Sequence, residues 1–538
     1  MVYKEMTLKN DTAASKVTAD FHQLLQQGLS FLNNGKLQDA QKSVTSALIF
    51  FPKSTQANFL LGLTEYSLGN HEPALTAFKR VLEHDPNNCM AWAHTAELYV
   101  ITGDIQQAES ALAQAISHQD GSANFQQMIG IVKSLLNEHE AALNWYKKAT
   151  QQQPNNVGFL LNQATCLMYL GDVDDAEKML KSILNIQPFF ANAHWLLSGL
   201  KKAHNDNHIN EMQHLLSQRP FSPIDVAYLQ YACGKECEDL ALWPQAFDAF
   251  AKASSAKRQT IQFDEPAEIE MYQQLEQSFT EIWMEQGNQG YDDYSPIFVL
   301  GEPRSGTTLV ERIIGAHSMV HSAGELRNFV NCISQLQGFS GSNSLSSRLV
   351  DGALTIDPRA LGETYMSSVA KLRGNTPHFV DKLPTNYLVL PLILKALPKA
   401  KIIHLRRDPM DTCFSGFKQL FTQAYPYSYE QQEIARHHAR YLKLMSKWRE
   451  RFGQQYFEVQ YEEVASDFEL NARRLVEFLG LPWEDACLQF HQQKSAVTTA
   501  SSIQVRQPAH TGSIARWKKY EVQLQPMLAE LKKHSSND

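Results

Sequence analysis

Ile297-Phe-Val-Leu300, followed by Gly301-Glu-Pro-Arg-Ser-Gly-Thr-Thr308 and Leu309-Val-Glu-Arg-Ile-Ile314, decides the architecture of the second half of this chain. Four consecutive apolar residues read as a buried strand, and the last six have helical spacing. A strand, a glycine-rich turn and a helix together aim backbone N–H groups and a helix N-terminus at one point, which makes an anion site. Arg304 adds a permanently charged, forked donor. Ser305, Gly306, Thr307 and Thr308 complete the turn, the threonines with hydroxyl donors. A nucleotide triphosphatase would show G-x-x-x-x-G-K-[ST]. Here Thr307 follows Gly306 directly, and the lysine that would serve a terminal phosphate is missing.

About a hundred residues on, Ala400-Lys-Ile-Ile-His-Leu405 reads as a second strand, followed by Arg406-Arg-Asp-Pro-Met-Asp-Thr-Cys-Phe-Ser415. Arg407 falls at the strand's carboxyl end and Ser415 about two helical turns later. Open α/β sheets bind ligands at that edge. The two elements together resemble the 5′-phosphosulfate loop and the 3′-phosphate element of sulfotransferases. Over roughly 295–520 the likeness is closest to the tyrosylprotein sulfotransferases and to bacterial sulfotransferases that follow tetratricopeptide repeats.

That resemblance implies a mainly parallel α/β domain of P-loop type using 3′-phosphoadenosine 5′-phosphosulfate as sulfuryl donor, without a metal. Arg304, Ser305, Gly306, Thr307 and Thr308 would hold the phosphosulfate, and Arg407 and Ser415 the 3′-phosphate. Glu325, in Gly324-Glu325, would be the general base. Lys382, in Asp381-Lys-Leu-Pro384 after the strand-like His378-Phe-Val380, would touch the sulfuryl group. With Arg304 it would stabilise charge on the bridging oxygen. Ser501, opening Ser501-Ser-Ile-Gln-Val-Arg-Gln-Pro508, would act on the transition state. Ser502, Gln504 and Arg516 would help close over the donor, and Tyr461 would lie near its nucleotide. Two departures stand out. Glu302 puts a carboxylate beside an anion loop, where it must point away or find a partner. Gln419 replaces an arginine of the tyrosylprotein enzymes, leaving Lys418 as the substitute. His317, His321 and His404 do not match the histidine used by cytosolic small-molecule sulfotransferases, and packing or surface roles are expected for them.

The first half is periodic. Gly28, Gly62, Ala96, Gly130 and Ala164 are spaced by 34; Ala40, Ala74, Ala108, Ala142 and Ala176 follow, and then Pro52, Pro86, Asp120, Pro154 and Pro188. The pattern resembles the tetratricopeptide repeat, a helix pair of 34 residues. Small residues let the two helices approach, and proline helps end each unit. The next triplet, Ser198, Asn210 and Ser222, is poor; a degenerate unit resumes at Gly234 and Ala246. The domains expected are a tail over 1–20, a repeat solenoid over 21–258, a helical connector over 259–294, the sulfotransferase-like domain over 295–530 and a tail over 531–538.

Composition narrows the functions. With 538 residues, 49 Lys+Arg and 57 Asp+Glu, the net charge is −8, so coating of nucleic acid is not expected. No apolar run is long enough to span a bilayer, and Met1 to Lys16 lacks a signal-peptide core; a cytoplasmic location is the expectation. Seven scattered cysteines form no disulfide framework, and Cys233 and Cys237 lack a second ligand pair at zinc spacing. The reading that follows is sulfuryl transfer to an acceptor hydroxyl, with protein tyrosine, a sugar and a small metabolite all open. The repeats would supply protein contacts, and homodimerisation stays open. The alternatives are a repeat scaffold with an inactive transferase domain and a P-loop kinase.

Overall fold

The computed structural model describes residues 16–338, 345–421, 424–493, 495–499 and 502–535, and these fall into two compact units divided between Cys166 and Leu167. The N-terminal unit is a run of antiparallel helix pairs from Lys16–Asn33 to His139–Gln152. Its period is written into three structural devices. Ser54, Asn88 and Ser122 each cap a helix by accepting from the backbone N–H three residues on, at 3.0–3.2 Å. Gly35, Gly69, Gly103 and Asn137 turn the chain at positive φ between paired helices, as Gly171 does one period later. The small-residue column faces a large side chain sixteen positions later. A Cβ on Gly62 would lie 2.7 Å from Phe78, and one on Gly130 would lie 2.5 Å from Tyr146.

Helices continue where the sequence register fails. Ala191–Leu200, Asn207–Gln218, Pro223–Asp239 and Trp243–Arg258 are all formed, and they belong to the second unit. Ser222, a poor fit to the proline column, instead caps Pro223–Asp239 through Asp225 N–H. These helices share one buried core with the C-terminal domain, including Tyr231, Phe250, Phe414, Phe417 and Tyr520. The Tyr231 hydroxyl donates to the Phe417 carbonyl at 3.1 Å. The expected connector holds two helices, Glu265–Ser278 and Glu281–Glu285. The first buries Tyr272 and Leu275 and pairs Glu265 and Glu268 with Arg436 and Arg440.

Among the described residues the C-terminal domain is built on five strands: β1 (Pro296–Gly301), β2 (Val320–Ser322), β3 (His378–Lys382), β4 (Lys401–Arg406) and β5 (Phe457–Gln460). Their order is β2-β3-β1-β4-β5, and every neighbouring pair is parallel. All residues of β1 are buried, as expected for the centre of a sheet covered on both faces. The register sets Val299 beside Lys382 and Gly301 beside Leu405, which brings the carboxyl ends of β1, β3 and β4 to one edge. The last helix, Gln525–Ser535, adds Met527 and Leu531 to the core. All seven cysteines are buried and unpaired. No helix among the described residues is long and apolar enough to cross a membrane.

Helix propensity favours alanine over glycine by about 1 kcal/mol, whereas forcing a methyl into a packed core costs about 1–3 kcal/mol. Gly62→Ala, with its Cβ against the Phe78 ring, should therefore be destabilising on balance. A lower midpoint in denaturant unfolding of the variant checks this.

Candidate anion site and the residues around it

The loop after β1 is shaped by its backbone. Arg304 adopts φ +70°, Gly301 φ +153° and Gly306 φ +108°. A Cβ on Gly301 would sit 2.4 Å from the Leu405 carbonyl, and one on Gly306 would sit 2.6 Å from the Tyr461 ring. Glycine is required at both positions, because strand end and ring pack directly on the chain. The helix Thr307–Gly315 starts from Gly306. Ser305, Thr307 and Thr308 are buried, and Ser305 Oγ has no hydrogen-bond partner. A buried hydroxyl without a partner is costly; here it stands at the mouth of a helix N-terminus.

Two guanidiniums meet at this edge. Arg407, just beyond β4, donates to the Arg304 carbonyl at 2.9 Å and the Ser513 carbonyl at 2.7 Å, and stacks on Tyr461 with its Cζ 4.6 Å from the ring centre. Its Nε is buried without a partner. Arg304 Nε donates to Ser415 Oγ at 3.3 Å. Burial, with Arg407 beside it, lowers the Arg304 pKa to about 10, which leaves it charged at neutral pH. The expected set Arg304, Ser305, Gly306, Arg407, Ser415 and Tyr461 is thus one cluster.

The second cluster lies at the end of β3, where Lys382 sits on the strand itself. Lys382 Nζ donates to Glu325, and Glu311 Oε2 lies 3.7 Å away. The lysine side chain is 1% exposed, whereas that of Glu325 is 40% exposed. Glu311, from the loop helix, also accepts from Ser322 Oγ at 2.6 Å, and burial pushes its carboxyl pKa up. The sequence reading did not single out Glu311; its place one turn after Thr307 was the available signal. Neighbouring Asp381 is fully buried, accepts from the Tyr365 hydroxyl at 2.8 Å, and is pushed up to about 7 by burial.

Glu302 resolves its apparent conflict by pairing behind the loop. Its Oε1 lies 3.2 Å from His437 Nε2 and accepts from the Tyr427 hydroxyl at 3.3 Å. Burial opposes charging of His437, yet Glu302 and Glu268 outweigh it and raise the imidazole to about 9. The carboxylate therefore faces an imidazolium near neutrality.

Other expected residues lie elsewhere. Arg516 Nε is 3.2 Å from Glu238 in the helix Pro223–Asp239, and Lys418 Nζ meets both oxygens of that carboxylate at 2.8 and 2.9 Å. Gln419 donates to the Leu420 carbonyl. Asp411 accepts from the N–H groups of Ala515 and Trp517, fixing that segment beside Ser415. Ser502 is buried and Gln504 exposed; Ser501 lies outside the described residues. Thr499 Oγ1 approaches Thr308 Oγ1 at 3.4 Å. His317 bonds the Pro482 carbonyl, and His404 bonds Glu458 and Tyr441.

This geometry coincides with a family match. Residues 296–485 match the model of the sulfotransferase family, and residues 25–88, 66–124 and 136–200 match tetratricopeptide-repeat models. The chain carries a sulfotransferase-family domain after tetratricopeptide repeats. Among curated relatives, an uncharacterised protein of Aquifex aeolicus is 30% identical over 397 residues, covering 72% of this chain and 52% of the relative. Protein-tyrosine sulfotransferase A of Caenorhabditis elegans is 24% identical over 249 residues, covering 44% of this chain and 65% of its own. The chain thus spans about half to two thirds of the length of these relatives. Among solved structures, the sulfotransferase domain of the Synechococcus PCC 7002 olefin synthase is similar at TM-score 0.33 and 18% identity, covering 46% of this chain and 98% of that one.

Burial opposes ionisation of Glu238, but Lys418 and Arg516 outweigh it and hold the carboxyl down from 4.5 to about 2. A depressed folded pKa gives stability that is present above the unfolded value and is lost as pH falls through the folded one. Acid should therefore weaken the fold between about pH 4.5 and 2. Glu238→Gln should remove this part of the acid dependence. It should also cost about 3–5 kcal/mol at neutral pH, because Lys418 is left buried without its counter-charge. Urea unfolding of both proteins at pH 7 and pH 3 checks both statements.

Proposed function

We propose that this chain is a sulfotransferase that moves a sulfuryl group in line from 3′-phosphoadenosine 5′-phosphosulfate to an acceptor hydroxyl, a tyrosine of a protein recruited by the repeats. The observation that carries the reading is the pairing of Arg304 and Arg407 at one sheet edge around a glycine turn, beside a buried hydroxyl without a partner. Two half-buried cations joined by a carbonyl rather than a carboxylate make a receptor for an anion of more than one charge. The residues fit the donor. The backbone N–H groups after Gly306, with Ser305, Thr307 and Thr308, would take the phosphosulfate. Arg407 and Ser415 would take the 3′-phosphate, and Tyr461 would border the nucleotide.

Glu325 is the base that takes the acceptor's proton. It is the half-exposed member of its cluster and can meet an incoming hydroxyl. Lys382, held by Glu311 and Glu325, and Arg304 present positive charge to the bridging oxygen as its bond to sulfur breaks. The proton of the acceptor goes to Glu325, the new bond joins the acceptor oxygen to sulfur, and the nucleotide leaves with the bridging oxygen. The relatives named protein-tyrosine sulfotransferase support tyrosine as acceptor, and the repeats support a protein partner.

Calorimetric titration with 3′-phosphoadenosine 5′-phosphate tests the reading, with ATP and Mg²⁺ as control. Selective binding of the first, lost in Arg407→Ala, is expected; no binding would return the chain to the scaffold reading, and preference for ATP to the kinase. Glu325→Gln should bind the nucleotide normally and lose about 10²–10⁴-fold in turnover, the usual size of a general-base contribution. Normal turnover in that variant would remove Glu325 as base.

A further inference from the structure

The turn between the fifth pair of repeat helices differs from its counterparts in what touches it. Gly35, Gly69 and Gly171 all hold positive φ, between 71° and 86°. A Cβ built on Gly35 or Gly69 meets nothing within 4 Å, whereas one built on Gly171 would lie 2.6 Å from the Arg506 guanidinium carbon. Arg506 donates to the Tyr169 carbonyl at 2.7 Å, and the Val497 N–H donates to the same oxygen at 2.9 Å. The guanidinium also reaches back to the Gln493 and Ser495 carbonyls of its own segment, at 3.4 and 3.3 Å.

That segment leads to the anion loop. Arg312, on the helix that begins at Thr307, donates to the Phe490 and Gln493 carbonyls and to Ser495. Thr499, two residues after Val497, approaches Thr308. One side of the segment is therefore fastened to the anion-loop helix by Arg312, and the other to a repeat turn by Arg506. Both arginines hydrogen-bond carbonyls and a hydroxyl here, and Asp172, next to Gly171, adds a favourable charge to Arg506.

We propose that Arg506 and Gly171 form a positioning joint: the fifth repeat turn holds residues 495–499 and 502–507 beside the anion loop, so that donor affinity depends on a glycine outside the sulfotransferase-family match. The joint rests on the proposed donor reading for its effect on affinity, though not for its effect on the segment. Glycine at 171 serves two ends, the left-handed turn and the room for a guanidinium face. Gly69 needs only the first, which separates the two contributions.

The test compares Gly171→Ala, Arg506→Ala and Gly69→Ala in the full chain, each confirmed to unfold cooperatively. Two readouts are used: calorimetric binding of 3′-phosphoadenosine 5′-phosphate, and deuterium exchange of the 495–499 and 502–507 amides, which needs no ligand. Gly171→Ala and Arg506→Ala should each weaken nucleotide binding about tenfold, within the usual range of coupling between sites, and speed exchange in 495–499 and 502–507. Gly69→Ala, with similar backbone strain, should change neither. Unaltered exchange in Gly171→Ala and Arg506→Ala would overturn the joint, as would an equal effect of Gly69→Ala on the segment. Faster exchange with unaltered nucleotide affinity would overturn the claim that the joint serves the donor site. If the wild-type chain binds no nucleotide, the donor reading fails, and the exchange result still decides the joint.

Discussion

Two like charges held together without a carboxylate between them organise the C-terminal domain. Arg407 is fixed by a carbonyl from each side and by the Tyr461 ring; Arg304 is held by Ser415 in a left-handed backbone conformation. Such an arrangement repels itself. It persists because everything nearby is fixed by other interactions. The sheet register sets the strand ends, the glycines admit Leu405 and Tyr461, and Asp411 anchors the segment that offers Ser513. The Coulombic cost is met by packing, and in the proposed donor reading a bound anion would relieve it, which is the general meaning of preorganisation.

The negative charges are placed with equal care. Glu302 is turned to the rear of the loop and neutralised by His437. Glu238 draws Lys418 and Arg516 toward the helical array. Glu311 shares Lys382 with Glu325. Glu302, Glu238 and the Glu311–Glu325 pair are thus each met by a cation other than Arg304 and Arg407. The helices from Ala191 to Arg258 take part in this, so the solenoid's end and the catalytic-type domain share a core as well as a chain.

Local features were legible in the sequence. The strand and turn at 297–308, the placement of Arg407 and Ser415, and the helix pairs through 188 follow from nearest-neighbour physics: apolar runs, glycine, capping and period. Lys382 was read as part of a turn, but it ends a strand, because its N–H is taken by the Gly324 carbonyl and its neighbour Asp381 by the core. The helices after 188 were legible only in part. Ala191–Leu200 and Asn207–Gln218 depart from the small-residue column, whereas Pro223–Asp239 and Trp243–Arg258 return to it, with Gly234 against Phe250 sixteen positions on, and add contacts with the C-terminal domain. Lys418 and Arg516 for Glu238, Tyr169 for Arg506 and His437 for Glu302 lie more than a hundred positions away and leave no periodic trace. No single-sequence pattern announces that a glutamate in one helix will meet a lysine 180 residues later.

The sheet also has a consequence for how the molecule keeps company. Its outer strands are its shortest runs, three residues in β2 and four in β5. A margin that brief offers few free backbone groups for another chain to zip onto. Association of this protein with copies of itself or with other chains is therefore steered away from strand addition and onto side-chain surfaces, where recognition can be specific and reversible.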